Sequence, residues 1–375
     1  MVLMIVSIII LAMAVTGAIF NIAAGAITRP AGAVRPLGQW PAITVLKPVH
    51  GTEPALAANL ESLFAQDYPG AVQVIFGTRN ANDPALAVIA QARAAHPDAD
   101  IDIVISDRRH GSNNKLSNLA NMDELGRHPI VVIADSDVAW APDALRQLAV
   151  ALAEPGVGLA SCLHVGRGDA GFWSQLAAMD ISYRFMPSVL TGVALGMAKP
   201  TLGPTMAFTR KTLEAIGGFP AFGDVLADDY EIGAAVRGLG LRTVLPNFYI
   251  THGCSESSLI ALITHEMRWT VTIFHINPAG FVGSIVFHTL PLALIGALMA
   301  GFSTVSLVVL GLAAFARLLV RARIDIASGT VSGPLIMVPI RDLLSFALFC
   351  ATFFVHKVDW RGSQFRVTRD GRLQS

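Results

Sequence analysis

The stretch VVIADSDVAW, residues 131–140, decides the fold. With Ile130 it begins as five apolar residues without alternation, the pattern of a strand buried on both faces in a helix-covered parallel sheet. The run ends in Asp135-Ser136-Asp137. Alternate side chains of an extended chain share a face, so both carboxylates are expected at one point just past the strand. Two like charges held close are unfavourable unless a cation lies between them. A hard divalent ion with oxygen ligands removes that cost, and a diphosphate completes its shell. The plainer alternative is a turn in which Asp137 caps a neighbouring backbone group, and these residues alone leave both open.

The flanking sequence alternates strands and helices. AITVLKPV (42–49) reads as a strand ending at Pro48. Residues 51–70 read as a helix with Thr52 as its cap and Pro54 in its first turn, and VQVIFG (72–77) as a strand. Asp83-Pro84 opens a helix, 101–106 is a strand, 115–125 a helix, and another helix starts at Pro142. This order predicts an α/β layer with a mostly parallel sheet, which binds ligands at the carboxyl ends of its strands.

The chain has 375 residues, of which 53% are hydrophobic and 14% charged. Its 27 Lys and Arg balance 27 Asp and Glu, so it lacks the basic excess that a nucleic-acid partner requires. The apolar excess lies at the two ends. Residues 2–28 carry no charge and are long enough to cross a bilayer core of ~30 Å. No Lys or Arg precedes them, which favours an uncleaved anchor over a signal peptide. Arg29 and Arg35 follow, placing the next segment in the cytoplasm by the positive-inside rule. Residues 279–316 read as two spans turning near Gly301–Thr304, with Arg317, Arg321 and Arg323 after them. A third apolar stretch, 331–355, is interrupted by Arg341-Asp342. The expected organisation is an N-terminal transmembrane anchor (1–29), a catalytic domain (38–278), transmembrane or re-entrant helices (279–356) and a basic tail (357–375). Cys162, Cys254 and Cys350 have no metal-ligand spacing and read as free thiols. His252, His275 and His288 likewise read as structural or interfacial.

Several segments in this order carry a family resemblance: KPVHG (47–51), NANDPA (80–85), ADSDV (134–138), GPTMAFTRKTLEAIGGF (203–219), ADDYEIG (227–233), HEMRW (265–269) and VDWRGSQFRV (358–367). Together they resemble the lipid-directed GT-A glycosyltransferases, and more closely the ceramide glucosyltransferase family, whose bacterial branch includes hopanoid glycosyltransferases. The resemblance implies a GT-A nucleotide-sugar-binding fold, Mn2+ or Mg2+ as cofactor, and inverting transfer from a UDP-sugar, UDP-glucose first, to the hydroxyl of a ceramide-like lipid. The alternatives are a hopanoid acceptor with UDP-N-acetylglucosamine, and a catalytically dead lipid-binding scaffold. The implied setting is a bacterial inner membrane with the catalytic domain facing the cytoplasm. The donor, the lipid acceptor and the bilayer are the partners, with no obligate protein partner inferred.

Each candidate residue also has a plain structural reading. Asp83 before Pro84 suits a helix cap, and the resemblance implies a uridine contact. Lys115, in the Gly/Ser/Asn-rich 110–119, reads either as a solvated loop lysine or as a donor-binding cation. The resemblance assigns Asp135 and Asp137 to donor and metal, Asp137 being the direct ligand. Asp228 and Asp229 suit a helix N-terminus, and the resemblance makes Asp229 the catalytic base with Asp228 beside it. Arg268 and Trp269 suit an amphipathic interfacial helix, and the resemblance places them in the catalytic site, with Arg268 on the diphosphate. His265 departs from the family pattern, which has Gln or Arg at that position. Trp173, Tyr183 and Phe185 read as core packing or as the lining of a lipid groove.

Overall fold

The computed structural model describes residues 2–355 and the backbones of three short strands, Lys357–Trp360, Ser363–Val367 and Leu373–Gln374. Beyond those strand backbones, the expected basic tail (357–375) and the VDWRGSQFRV segment lie outside the described residues. The chain divides into two compact units: Ala31–His164 with Pro200–Ser255, and Met1–Pro30 with Val165–Lys199 and Glu256–Ser375. The division differs from the sequence-based limits of 38 and 278, because 165–199 and 256–278 pack with the apolar helices.

The first unit is built on β1 (Ile43–Pro48), β2 (Val72–Thr78), β3 (Asp100–Ile105), β4 (Ile130–Ala134), β5 (Val138–Ala139), β6 (Val157–Ser161), β7 (Leu163–Gly168, which runs out of this unit), β8 (Thr205–Thr209), β9 (Arg242–Val244) and β10 (Tyr249–Cys254). The main sheet has the order β3-β2-β1-β4-β8-β6-β9. Strands β3, β2, β1 and β4 are parallel, β8 is antiparallel to β4 and β6, and β9 is parallel to β6. A small sheet has the order β5-β10-β7.

Every residue of β4 is buried, and its alternation explains why the apolar run is unbroken. Ile130, Val132 and Ala134 join Leu56, Leu60, Ile89, Leu145 and Leu148 on one face of the sheet. Val131 and Ile133 join Leu116, Leu119, Leu213, Ile232 and Val236 on the other. Each large aliphatic side chain buried there contributes about 1.5–3 kcal/mol, so neither face of β4 has room for a polar residue until the strand ends.

Two local expectations change. The helix expected over 51–70 spans only Leu56–Phe64, and no side chain caps its start. The preceding segment is held elsewhere: Ser136 Oγ donates to Glu53 (2.8 Å), and Asn59 Nδ2 donates to the Ser136 carbonyl (3.0 Å). These bonds tie 53–59 to the Asp-Ser-Asp loop, and Pro54–Ala55 form a turn ahead of the helix, closed by the Leu56 N–H on the Glu53 carbonyl (3.1 Å). The Asn114–Asp123 helix is capped by Asn113, whose side chain accepts from the N–H groups of Lys115 and Leu116.

The second unit holds three helices long and apolar enough to cross a membrane: Val2–Ile27, Thr304–Ser328 and Leu335–Thr352. A fourth crossing is possible by length if Leu259–Ile276 and Pro278–Phe287, bent by 120°, count as one. The turn expected near Gly301 is present, with positive φ at Gly301 and Phe302. The helix before it, Thr289–Met299, has only 11 residues. At ~1.5 Å per residue that is about half of a bilayer core, so 279–316 is not two full spans. The first helix packs closely through small residues: a Cβ on Gly17 would fall 1.9 Å from the Val286 carbonyl oxygen.

Arg317 and Arg341 are buried in this unit in closed sets. Arg317 sits inside its helix and donates to both oxygens of Asp342 (2.8 and 2.7 Å), so it is not a loop charge that could report orientation. Arg341 does not pair with its neighbour Asp342. It donates to both oxygens of Glu266 (2.8 and 2.5 Å) and lies 3.0 Å from Asp180, which Arg184 and Ser345 also contact. Tyr183 is buried and donates to Asp325 (2.6 Å), a structural contact.

Candidate active site at the carboxyl ends of the strands

Asp135 and Asp137 leave the carboxyl end of β4, as expected of a ligand site in such a sheet. They do not simply face one another across a vacant point. Asp135 Oδ1 lies 2.6 Å from Lys115 Nζ, and Asp137 Oδ2 lies 3.3 Å from His252 Nε2. The other oxygen of Asp137, Oδ1, is buried without a hydrogen-bond partner. The loop between them is held from below by buried Lys47, which donates to the carbonyls of Asp135 (2.7 Å) and Val138 (3.3 Å). His252 arrives through strand pairing: β5 and β10 are antiparallel with Val138 opposite His252.

The electrostatics follow from this packing. Burial alone would raise the Asp137 carboxyl, but His252 and Lys47 hold it down to about 2. Burial raises Asp135 despite Lys115. Burial and the nearby Asp137 push Glu53 up to about 7. Burial pulls Lys47 down to about 8 against the surrounding acids.

Asp228 and Asp229 begin the Asp228–Gly238 helix, with Glu231 also in its first turn. Asp229 Oδ1 accepts from the Tyr230 N–H (2.7 Å). Its Oδ2 faces the 200–204 segment, where a Cβ on Gly203 would stand only 3.2 Å away. Burial, and next the negative charge of Asp228, push Asp229 up to about 7. Asp228 Oδ2 is buried without a partner. Against its burial, Lys115 is raised by Asp135, Asp228 and Asp229 together. The ammonium pairs directly with Asp135 and also feels the charge of Asp228 and Asp229, nearly a hundred residues further on, so Lys115 is no solvated loop residue.

Asp83 is buried and filled by the protein. It accepts from the N–H groups of Gly51 (2.9 Å) and Ala85 (3.0 Å) and from the Thr78 hydroxyl (3.0 Å). These bonds hold its carboxyl below the usual range against the effect of burial. The cap reading of Asp83 is thus met, and the residue also fixes the loop after β1.

His265, Arg268 and Trp269 lie in the second unit, on the Leu259–Ile276 helix, whose start is capped by Ser258. His265 stacks edge-on against Trp269 with ring centroids 4.8 Å apart, and its Nδ1 contacts Glu256.

A comparison with known families matches the chain to glycosyl transferase family 21 over residues 2–373. The chain belongs to glycosyl transferase family 21. Among curated relatives of this family 21 protein, ceramide glucosyltransferase 1 of Caenorhabditis elegans is 23% identical over 237 residues, 63% of this chain and 50% of the relative. Ceramide glucosyltransferase of Candida albicans is 30% identical over 121 residues, 29% of this chain and 22% of the relative. The chain thus spans about half the length of the C. elegans relative. Among solved structures, the mannosyltransferase PcManGT from Pyrobaculum calidifontis, in complex with GDP-Man and Mn2+, superposes with a TM-score of 0.54 at 21% identity, covering 94% of this chain and 98% of that one. That likeness shows the fold, a GT-A glycosyltransferase fold.

Within the family 21 chain, the first unit brings Lys115, Asp135, Asp228 and Asp229 into one electrostatic cluster, with Asp137 on the same loop as Asp135. Lys47 and Glu53 line the same region and were not singled out from the sequence, and His252, read there as structural or interfacial, stands against Asp137 instead. Lys47 and Glu53 stand in or beside the KPVHG segment, which was a usable signal. His252 gave none, because its place depends on a strand register rather than on spacing.

Proposed function

We propose that the protein is an inverting glycosyltransferase that moves glucose from UDP-glucose to the hydroxyl of a ceramide-like membrane lipid. The observation that carries this is the sharing of Lys115 between Asp135 and the Asp228–Asp229 pair. It is the arrangement expected when a donor-binding acid and a base act on one bond.

Asp229 is the base. Its oxygen takes the proton of the acceptor hydroxyl as that hydroxyl's oxygen attacks the anomeric carbon from the face opposite the UDP. The sugar–diphosphate bond breaks as the new one forms, so the anomeric centre inverts and no covalent intermediate with the protein is needed. A carboxylate raised to about 7 suits this work near neutral pH. Asp228, beside it, keeps it there. Lys115 lends positive charge to the donor side, and Asp83 shapes the loop at the nucleoside end. On the resemblance of HEMRW, Arg268 supplies a guanidinium for the leaving diphosphate, with Trp269 beside it.

A divalent cation, Mn2+ or Mg2+, fits the residues present. Asp137 Oδ1 is buried and unpartnered, and the His252 imidazole stands at the other oxygen. Among the described residues no group of three or more His, Cys, Asp or Glu could hold a metal ion, so donor oxygens are needed to complete a shell. Asp137 would hold the ion through Oδ1, while His252 engages its other oxygen and Lys115 engages Asp135. When bound, such an ion stabilises negative charge on the departing diphosphate. The apolar helices suit a lipid acceptor. Arg29 and Arg35, after the first helix, favour a cytoplasmic catalytic unit, and the family resemblance implies a bacterial inner membrane.

The test is the purified protein in lipid nanodiscs with UDP-glucose and ceramide, read by UDP release and mass spectrometry of the lipid. Formation of a hexosylceramide supports the assignment. Parallel arms with UDP-N-acetylglucosamine and a hopanoid identify the alternative pair. No UDP release in any arm overturns the enzyme assignment.

A further inference from the structure

We propose that Glu256 is a positioning residue for His265, and that the two together do what a single Gln or Arg does in the pattern from which this chain departs. The proposal rests on the role given above to the HEMRW helix. Three observations lead to it.

The first is the contact itself. Glu256 is buried, and its Oε1 meets Nδ1 of His265. If Glu256 is ionised it can only accept, which puts the proton of that bond on Nδ1. Whichever nitrogen of a histidine is held in this way decides what the other can offer. With Nδ1–H committed, Nε2 is the free end of the ring, and it points away from Glu256. The carboxylate therefore fixes both the tautomer and the aim of the side chain.

The second is the orientation of the helix. At ~100° per residue, His265, Arg268 and Trp269 fall within an arc of about 100°, while Glu266 stands about 160° from Arg268. Glu266 is buried and held by both nitrogens of the Arg341 fork. The helix is thus fixed in rotation by an ion pair about 60° from Trp269 and about 160° from Arg268, so that Arg268 is the side chain turned away from it. His265 is less buried than Glu256, with 30% of its side chain exposed against 5%.

The third is the edge-on contact of the His265 ring with Trp269. The indole closes one side of the imidazole, leaving Glu256 to choose between its two flips. A Gln or Arg would need no such partner, because it carries its donor on a flexible stem.

A double-mutant cycle tests this. Glu256→Gln in the wild-type background is expected to lower kcat about tenfold or more, the effect of a misaimed group, with little change in KM for the donor. In a His265→Gln background the same Glu256→Gln change is expected to cost nothing further. Equal losses in the two backgrounds would mean that Glu256 serves only the fold, and would overturn the proposal. The second readout needs no activity: nitrogen-15 NMR of labelled histidine, at a pH where the ring is neutral. His265 is expected as the Nδ1–H tautomer in the wild type, with that preference lost in Glu256→Ala. An Nε2–H tautomer in the wild type, or one unmoved by Glu256→Ala, would also overturn it. Wild-type protein that transfers no sugar yet shows the Glu256-dependent tautomer would refute the function and leave the pair standing.

Discussion

The two units bury charge in opposite ways. In the helical unit the buried ions close on each other. Arg317 takes both oxygens of Asp342, and Arg341 takes both oxygens of Glu266 and reaches Asp180. In the sheet unit the balance is left open. Asp137, Asp228 and Glu53 each keep a buried oxygen without a partner. Buried polar atoms are normally satisfied, since leaving one unmade costs roughly 1–3 kcal/mol. A closed set holds helices together, and an open set waits for a ligand. The contrast teaches that burial of charge alone does not mark a site, and neither does one unpaired atom such as Arg321 Nη1 or His288 Nε2 in the helical unit; unpaired oxygens on acids gathered at the strand ends do.

The contrast can be broken most severely at Asp229. Asp229→Asn is expected to lower glycolipid formation by about 10²–10⁴-fold while leaving the melting temperature unchanged or higher, because a repelling charge next to Asp228 is gone. Mass spectrometry and thermal unfolding of the same sample check both halves. A fall in melting temperature alongside the lost activity would place Asp229 among the closed, structural ions.

The reverse is expected at Arg341. Arg341→Met leaves Glu266 and Asp180 buried with their shared cation missing, at a cost of about 3–5 kcal/mol. Thermal unfolding in detergent measures it. The matched change Arg317→Met with Asp342→Leu removes a whole pair and is expected to cost much less than either single change.

Metal removal sharpens the open side. Chelation is expected to abolish transfer, and Mn2+ added to the apoprotein is expected to bind tightly only with UDP present, because the protein provides too few ligands by itself. Electron paramagnetic resonance of Mn2+ reads this, and Asp137→Asn is expected to remove the signal of the bound ion.

The smallest expected effect is on pH. Asp229 must be ionised to accept a proton, so kcat/KM is expected to rise with pH and level off above its raised pKa of about 7. Below that value the base is protonated and the rate falls tenfold per unit of pH. Asp228→Asn removes the neighbouring negative charge, so the acid limb is expected to move to lower pH. A profile that does not move would mean that burial alone sets the Asp229 carboxyl.

Much of the fold was legible because β1 to β4 are consecutive, parallel and rich in β-branched apolar residues, so local pattern and pairing agree. What escaped depends on distant pairing. Thr205–Thr209 becomes the antiparallel strand β8 only through its two neighbours, β4 and β6. His252 reaches Asp137 only because the β5–β10 register carries it there. The length of the Leu56–Phe64 helix was misjudged because Glu53 and Asn59 bond to Ser136, a residue far along the chain. The acids and Lys115 could be named from sequence, but how they divide their partners could not. That division is set by which side chains the folded loops bring within reach.

Asn21 has a consequence for how the protein is made. Its amide donates to Thr289, and its oxygen accepts from Arg317. Both partners are synthesised more than 260 residues later. Once the opening segment has entered lipid, only the bond from its amide to the Gly17 carbonyl, within its own helix, is available. A nascent chain that stalls before Thr289 therefore carries a half-satisfied amide in its opening helix until its last partners arrive.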